Sequence, residues 1–192
     1  MNLVQRVKNI LVTPKREWLL VDKERASPPS LLLRYVLPLA ILASVGELLS
    51  GIWFSSRLFG QSHFLWNSLL SFSSLIISFY ISLYVIEMLA PAFSSQKNTN
   101  KSAQLVAYSN TPAWIAGFLS FIPLIGWLIM IAGWLYSIYI FYLGLGILKK
   151  TPEDKRIIFM LVAFIAMVAI SIIIRAVLMG LFVSGGLGAS AR

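Results

Sequence analysis

From Leu105 to Leu148 the chain runs for 44 residues without a Lys, Arg, Asp or Glu. A helix needs about 20 apolar residues to cross about 30 Å of hydrocarbon, so this stretch exceeds one crossing. Pro123-Leu124-Ile125-Gly126 is its natural break. Composition agrees with a chain whose main solvent is lipid. Only 12% of the 192 residues are charged, where an ordinary globular domain has about a quarter. Such a chain cannot clothe a water-facing surface, which excludes a soluble enzyme and a disordered chain. Cysteine is absent, which excludes a disulfide scaffold and thiolate chemistry.

The reading is an all-α polytopic membrane protein with five transmembrane helices. The expected spans are about 35–55, 65–89, 105–122, 127–147 and 157–183, within a transmembrane domain over 35–192. Four spans, with 105–148 as one crossing plus a re-entrant piece, is the alternative. Basic residues arbitrate. Five spans place Arg6, Lys8, Lys15, Arg16, Lys23, Arg25, Arg34, Lys97, Lys101, Lys149, Lys150, Lys155 and Arg156 on one side, against Arg57 and Arg192 on the other. Cytoplasmic loops carry the Lys/Arg excess, so the N-terminus is expected in the cytoplasm and the C-terminus outside. Four spans would put the 149–156 cluster on the wrong face. Tryptophans at 53, 66, 114 and 127 fall near expected span ends, while Trp134 lies deeper and reads as packing.

Residues 1–34 form a basic cytosolic segment with no signal-peptide pattern. Leu3, Val7, Ile10 and Leu11 share one helical face, with polar residues largely opposite, which is the pattern of an interfacial amphipathic helix. Thr13-Pro14 restarts a short helix, which Trp18 and Leu19 anchor and Ser27-Pro28-Pro29 ends. The segment either packs on the cytosolic ends of the bundle or acts as an independent membrane sensor. Arg6, Lys8, Lys15, Arg16, Lys149, Lys150, Lys155 and Arg156 form the expected cytosolic basic surface, suited to anionic lipid. No nucleic-acid module is present in the pattern.

The stretches LVAYSNTPAWIAGFLSFIPLIGWL and LYSIYIFYLGLGILKKTPEDK, with the opening NLVQRVKNILVTPKREW, resemble the Yip family of small polytopic membrane proteins, in its bacterial branch. Tyr108-Ser109-Asn110-Thr111-Pro112 and the run from Tyr142 to Pro152 carry the resemblance most specifically. Many bacterial members place a proline where this chain has Gly146. The resemblance implies a polytopic protein with a cytosolic N-terminus in the bacterial inner membrane. Eukaryotic relatives are linked to Rab GTPases, vesicle traffic and membrane shaping. Rab binding is not carried over, because the Asp-Leu-Tyr-Gly-Pro signature of those relatives is missing here.

No catalytic constellation assembles from one histidine, no cysteine and seven carboxylates, so no enzyme, metal or cofactor is expected. The residues to weigh are ionisable groups within spans, which are costly in lipid. Glu47 and Arg175 fall at similar depths toward the outer half. They read either as a packing ion pair, with Arg175 free to snorkel, or as a polar site for a proton, ion or headgroup. Glu87, at the cytosolic end of the second span, is a headgroup-level carboxylate or a partner for Lys101 or the 149–156 loop. Tyr108, Asn110, Thr111 and Pro112 make a helix start, with Asn110 or Thr111 as cap and Pro112 at N1. Its positive end is either a plain cap or a headgroup site. Ser71, Ser74, Ser78 and Ser82 share one face of the second span, for packing or a water-lined path. His63 is expected in the short outer loop.

Two functions remain. The first is a membrane-organising or interaction scaffold, whose arm contacts anionic lipid, a protein partner or a second copy of the chain. The second is a small transporter, channel or lipid-handling protein built around Glu47 and Arg175.

Overall fold

The computed structural model describes residues 2–54 and 61–190, and the side chains of these except 52–54, 61–68, 175 and 181–190. The described chain is helical with no strand. Helix α1 (Leu3–Val12) starts where the Asn2 side chain accepts the Val4 amide, and α2 (Pro14–Lys23) starts with proline at its first turn. Glu24 leaves the helical conformation and ends α2 before Ser27. Pro28 and Pro29 then open α3 (Pro28–Leu31) rather than closing the helix before it. A π-helical turn, Leu32–Val36, joins α3 to α4 (Leu37–Phe54). The first apolar crossing therefore begins earlier than residue 35.

Helix α5 (Gln61–Leu89) runs into a short 3-10 turn, Ala90–Phe93, ended by Ser94 in the left-handed conformation. His63 lies on the first turn of α5, not in a loop. Helix α6 (Thr99–Ser109) begins where the Asn98 side chain accepts the Lys101 amide at 3.1 Å. It is followed by α7 (Thr111–Leu119), α8 (Gly126–Leu148) and α9 (Glu153–Ser190). The chain reverses between α7 and α8 at the expected Pro123–Gly126 break, with Leu124 left-handed. A Cβ on Gly126 would run into the Ser120 carbonyl, so the return needs glycine there.

Among the described residues, four helical stretches are long and apolar enough to cross a membrane: Pro28–Gly51, Leu69–Phe93, Gly126–Leu148 and Glu153–Gly180. This is a polytopic all-α membrane protein. The 105–122 segment is two pieces, α6 and α7, because Pro112 cannot donate to the preceding turn and its ring crowds that turn. The two pieces lie inside the protein. Residues 102–109 are all buried, and α7 packs between α4 and α8. The α7–α8 contact is close because Gly133 meets Ala116 and the Pro112 carbonyl with no Cβ between them.

The packed core lies where α1, α2, α6 and α8 meet. Ile10, Trp18, Val21, Leu105, Ile140 and Leu145 are all fully buried there. Apolar side chains on the outer faces of α8 and α9, such as Leu135, Ile158 and Ile165, are exposed by more than half, as lipid-facing positions are.

Candidate functional site

The arm docks through its apolar stripe. Trp18 fills the space above Gly144 against Leu105, and its indole N–H donates to the Ile140 carbonyl at 3.1 Å. Tyr136 donates its hydroxyl to the Leu11 carbonyl at 2.7 Å. Tyr136 and Ile140 precede Lys149 by 13 and 9 positions, about 20 and 13 Å along α8. The arm therefore packs against α8 from Tyr136 to Ile140, and the end of α2 reaches Lys150 just past the end of α8.

That docking changes two members of the expected basic surface. Arg6 is 6% exposed, because it shares the inward face with Ile10. It donates to Glu17 at 2.7 Å and to both carboxylate oxygens of Glu24, with its guanidinium 5.2 Å from the Tyr108 ring centre. Burial would lower its pKa, but the Glu24 hydrogen bond and the surrounding negative groups outweigh it, and the guanidinium stays charged. Lys149 is fully buried and donates to Glu87 and Ser102, each at 2.8 Å. Burial holds its pKa below the usual lysine value despite the Glu87 partner. Arg6 and Lys149 are thus internal ties, not surface charges. Lys8, Lys15 and Arg16 remain exposed, and Lys150 is exposed while bonded to Asp22 at 2.9 Å. Lys155 bonds Ser94. Arg156 lies half-buried over the Tyr142 ring, in space that a side chain at Gly146 would take.

Lys101 closes the C-terminal end of α2. Its ammonium donates to the carbonyls of Val21, Asp22 and Glu24 and lies 3.4 Å from the Asp22 carboxylate. Burial pushes the Asp22 carboxyl up, but Lys150 and Lys101 together bring it below its ordinary value.

At the α6–α7 break the polar side chains turn backwards. Asn110 donates to the Val106 carbonyl at 2.9 Å and Thr111 to the Tyr108 carbonyl at 2.7 Å, so neither side chain caps α7. Tyr35 and Thr111 share a 2.7 Å hydroxyl bond. Tyr108, Thr111 and Pro112 are buried, which turns this helix start toward protein rather than headgroups.

A cavity of about 590 Å³ opens among α4, α5, α7, α8 and α9. Ser71, Ser74, Ser78 and Ser82 line it, so the serine stripe of α5 faces a space rather than a helix. Glu47 stands in its wall and accepts from Ser71 at 2.9 Å. The Arg175 side chain lies outside the described residues, and with it the expected Glu47–Arg175 pair. Trp134 lines the cavity and is 52% exposed. Sequence reasoning passed over Gly46. A Cβ there would overlap the backbone of Phe118, so this glycine sets how closely α4 approaches α7 beside the cavity. Its sequence signal was a glycine next to an intramembrane carboxylate. No group of three or more His, Cys, Asp or Glu able to hold a metal occurs among the described residues.

The Yip1 domain family model matches residues 8–184. The chain belongs to the Yip family. The Yip1 match begins at Lys8 in α1 and ends in α9, so it takes in the arm, the broken α6–α7 segment and every cavity-lining helix. Nothing among curated proteins or solved structures matches this Yip1-domain chain.

Proposed function

We propose that this Yip1-domain protein is a non-enzymatic scaffold that organises membrane, reading the anionic headgroup layer through its docked arm. One observation carries the reading. With one face of α1 and α2 committed to the bundle, the outward face still presents Val4, Val12, Leu19 and Leu20, exposed by 70, 69, 57 and 44%. Lys8, Lys15, Arg16 and Lys23 are exposed among them. Mixed apolar and basic side chains on one face are what an interfacial helix offers to acyl chains and anionic lipids. The arm is already helical and docked, so it would meet that boundary without folding on binding, as a preformed contact.

The supporting topology is five crossings, with α6–α7 as the third, the N-terminus cytoplasmic and the C-terminus outside. The thirteen-to-two basic asymmetry favours it, in a bacterial inner membrane. A protein partner or second copy of the chain would meet the same arm.

The chain has no cysteine, so a Leu20→Cys variant carries a single spin label on the outward arm face. Reconstituted in nanodiscs of rising phosphatidylglycerol content, the label is expected to become shielded from a water-soluble relaxer and accessible to oxygen. Lys8→Glu, Lys15→Glu and Arg16→Glu together reverse the trend. A label that stays water-exposed at every composition ends the reading.

The cavity around Glu47 favours a second reading, a small transporter, channel or lipid-handling protein. Its transport form requires Glu47→Gln to change proton or ion flux in reconstituted vesicles.

A further inference from the structure

We propose that Arg156, seated over Gly146 and Tyr142 beside the α8–α9 loop, binds the phosphate of a phospholipid in the adjoining leaflet. These three residues belong neither to the arm nor to the wall of the Glu47 cavity, so the inference goes beyond both readings above.

The seat is made by a missing side chain on α8. Gly146 follows Tyr142 by four residues, so the two share a face. The Arg156 Cζ, Nη2 and Nε atoms lie 2.6, 2.7 and 2.9 Å from where a Cβ on Gly146 would stand. The guanidinium carbon is also 5.2 Å from the centre of the Tyr142 ring, within cation–π range. Any side chain at position 146 would push the guanidinium off this platform.

The guanidinium is held but scarcely neutralised. Its one hydrogen bond is long, from Nη2 to the Thr151 carbonyl at 3.4 Å. Its loop neighbours Lys149 and Lys150 have carboxylate partners in Glu87 and Asp22, whereas among the described residues no carboxylate pairs with Arg156. Nε is closed in against α8 and offers nothing to a ligand. Nη1 is the corner turned away from Gly146. It makes no bond within the protein and keeps surface open to the outside. An oxyanion at that corner would gain charge-assisted hydrogen bonds from a group whose position is already fixed.

The level of the site selects the source of the oxyanion. Glu153 and Asp154, in the first turn of α9, are exposed. Ile157 and Ile158, one turn further, are exposed by 55 and 57%. Exposed acids suit water and exposed isoleucines suit acyl chains, so Arg156 stands at the boundary, about 4.5 Å past the start of α9. Phospholipid phosphates lie at that boundary. A free anion arriving from water must pass the two acids. A lipid phosphate arrives along the bilayer plane, with its tails beside the isoleucines.

The test counts lipids retained by the full chain in native mass spectrometry. Phosphatidylglycerol is titrated into the detergent-solubilised protein, with diacylglycerol as the lipid lacking phosphate and glycerol 3-phosphate as the soluble competitor. The parent is expected to hold one phosphatidylglycerol more tightly than any further copies. Arg156→Gln weakens that first binding about tenfold, and Lys97→Gln, at an exposed loop cation, does not. Gly146→Ala keeps every charge. The atoms nearest its added methyl are the movable end of Arg156, so the chain folds while the same binding falls. Diacylglycerol shows no tight first copy, and glycerol 3-phosphate displaces nothing. Equal binding by the parent and Arg156→Gln overturns the site. Loss in Arg156→Gln with none in Gly146→Ala overturns the seat in favour of diffuse charge. Displacement by glycerol 3-phosphate at concentrations matching the lipid overturns the lipid as its source.

Discussion

The indole of Trp18 donates to the main-chain oxygen of Ile140, 122 positions along the chain, and the ring covers Gly144. This bond and the burial of the ring tie the arm to α8. Trp18→Ala is expected to cost about 3–5 kcal/mol, the range for emptying a large core site. Trp18→Phe keeps most of the apolar contact and loses chiefly the hydrogen bond, about 1 kcal/mol. Reversible unfolding in detergent reads the difference. Equal stability of parent and Trp18→Ala would mean the arm is not docked.

Arg6 is the second tie, and its loss is expected to act through its partners. Arg6→Met strands Glu17, which is 1% exposed, beside an unpaired Glu24. Breaking a buried pair from one side costs about 3–5 kcal/mol. Adding Glu17→Gln to Arg6→Met should restore part of that loss, because the stranded charge is gone. A double variant as unstable as the sum of the two single changes would show that the charges are not coupled.

Asp22 sets an acid limit. Its carboxyl titrates below the ordinary value of 3.8 in the folded chain, so the unfolded chain binds more protons between the two values. The stability it contributes is complete above 3.8 and is lost as pH falls toward the folded value. Asp22→Asn should flatten this part of the stability–pH curve, measured by thermal unfolding across that window. An unchanged acid limb in Asp22→Asn would remove Asp22 as its source.

The proposed five crossings would put the two chain ends on opposite faces. Lys8→Cys and Ser190→Cys, made singly, should react with an impermeant maleimide from opposite sides of sealed vesicles. Reaction from the same side would return the count to an even number and undo the depth assignments.

Four apolar helical stretches and the Pro123–Gly126 reversal were legible because charge-free length and helix-breaking residues are local signals. The serine face of α5 was legible as a period, but whether a helix or a space lay opposite depends on α8 and α9, which no period in α5 records. Arg6 shows the same limit. It lies four residues before Ile10 and so shares its face, yet what makes burial tolerable is Glu17 and Glu24 from another segment. Lys149 read as one of a run of loop cations, and only the fold brings Glu87 and Ser102 to it. At Asn110 and Thr111 the residue types suited a cap. Pro112 has no amide hydrogen to give the Tyr108 carbonyl, and the Thr111 hydroxyl donates there, while the Asn110 side chain joins its own amide on the Val106 carbonyl.

The π-helical turn at Leu32–Val36 holds one residue more than an α-helical path would need. Deleting a single residue within it would let the helix close in the ordinary way with the downstream faces kept, whereas deleting one from the α-helical stretch that follows would turn everything downstream by about 100°. Glu47 and Gly46 would then swing off their present bearings, the carboxylate away from Ser71 and the bare backbone away from Phe118. The extra residue is thus slack between the docked arm and the first apolar helix, a place where the chain can lose one residue and keep those bearings.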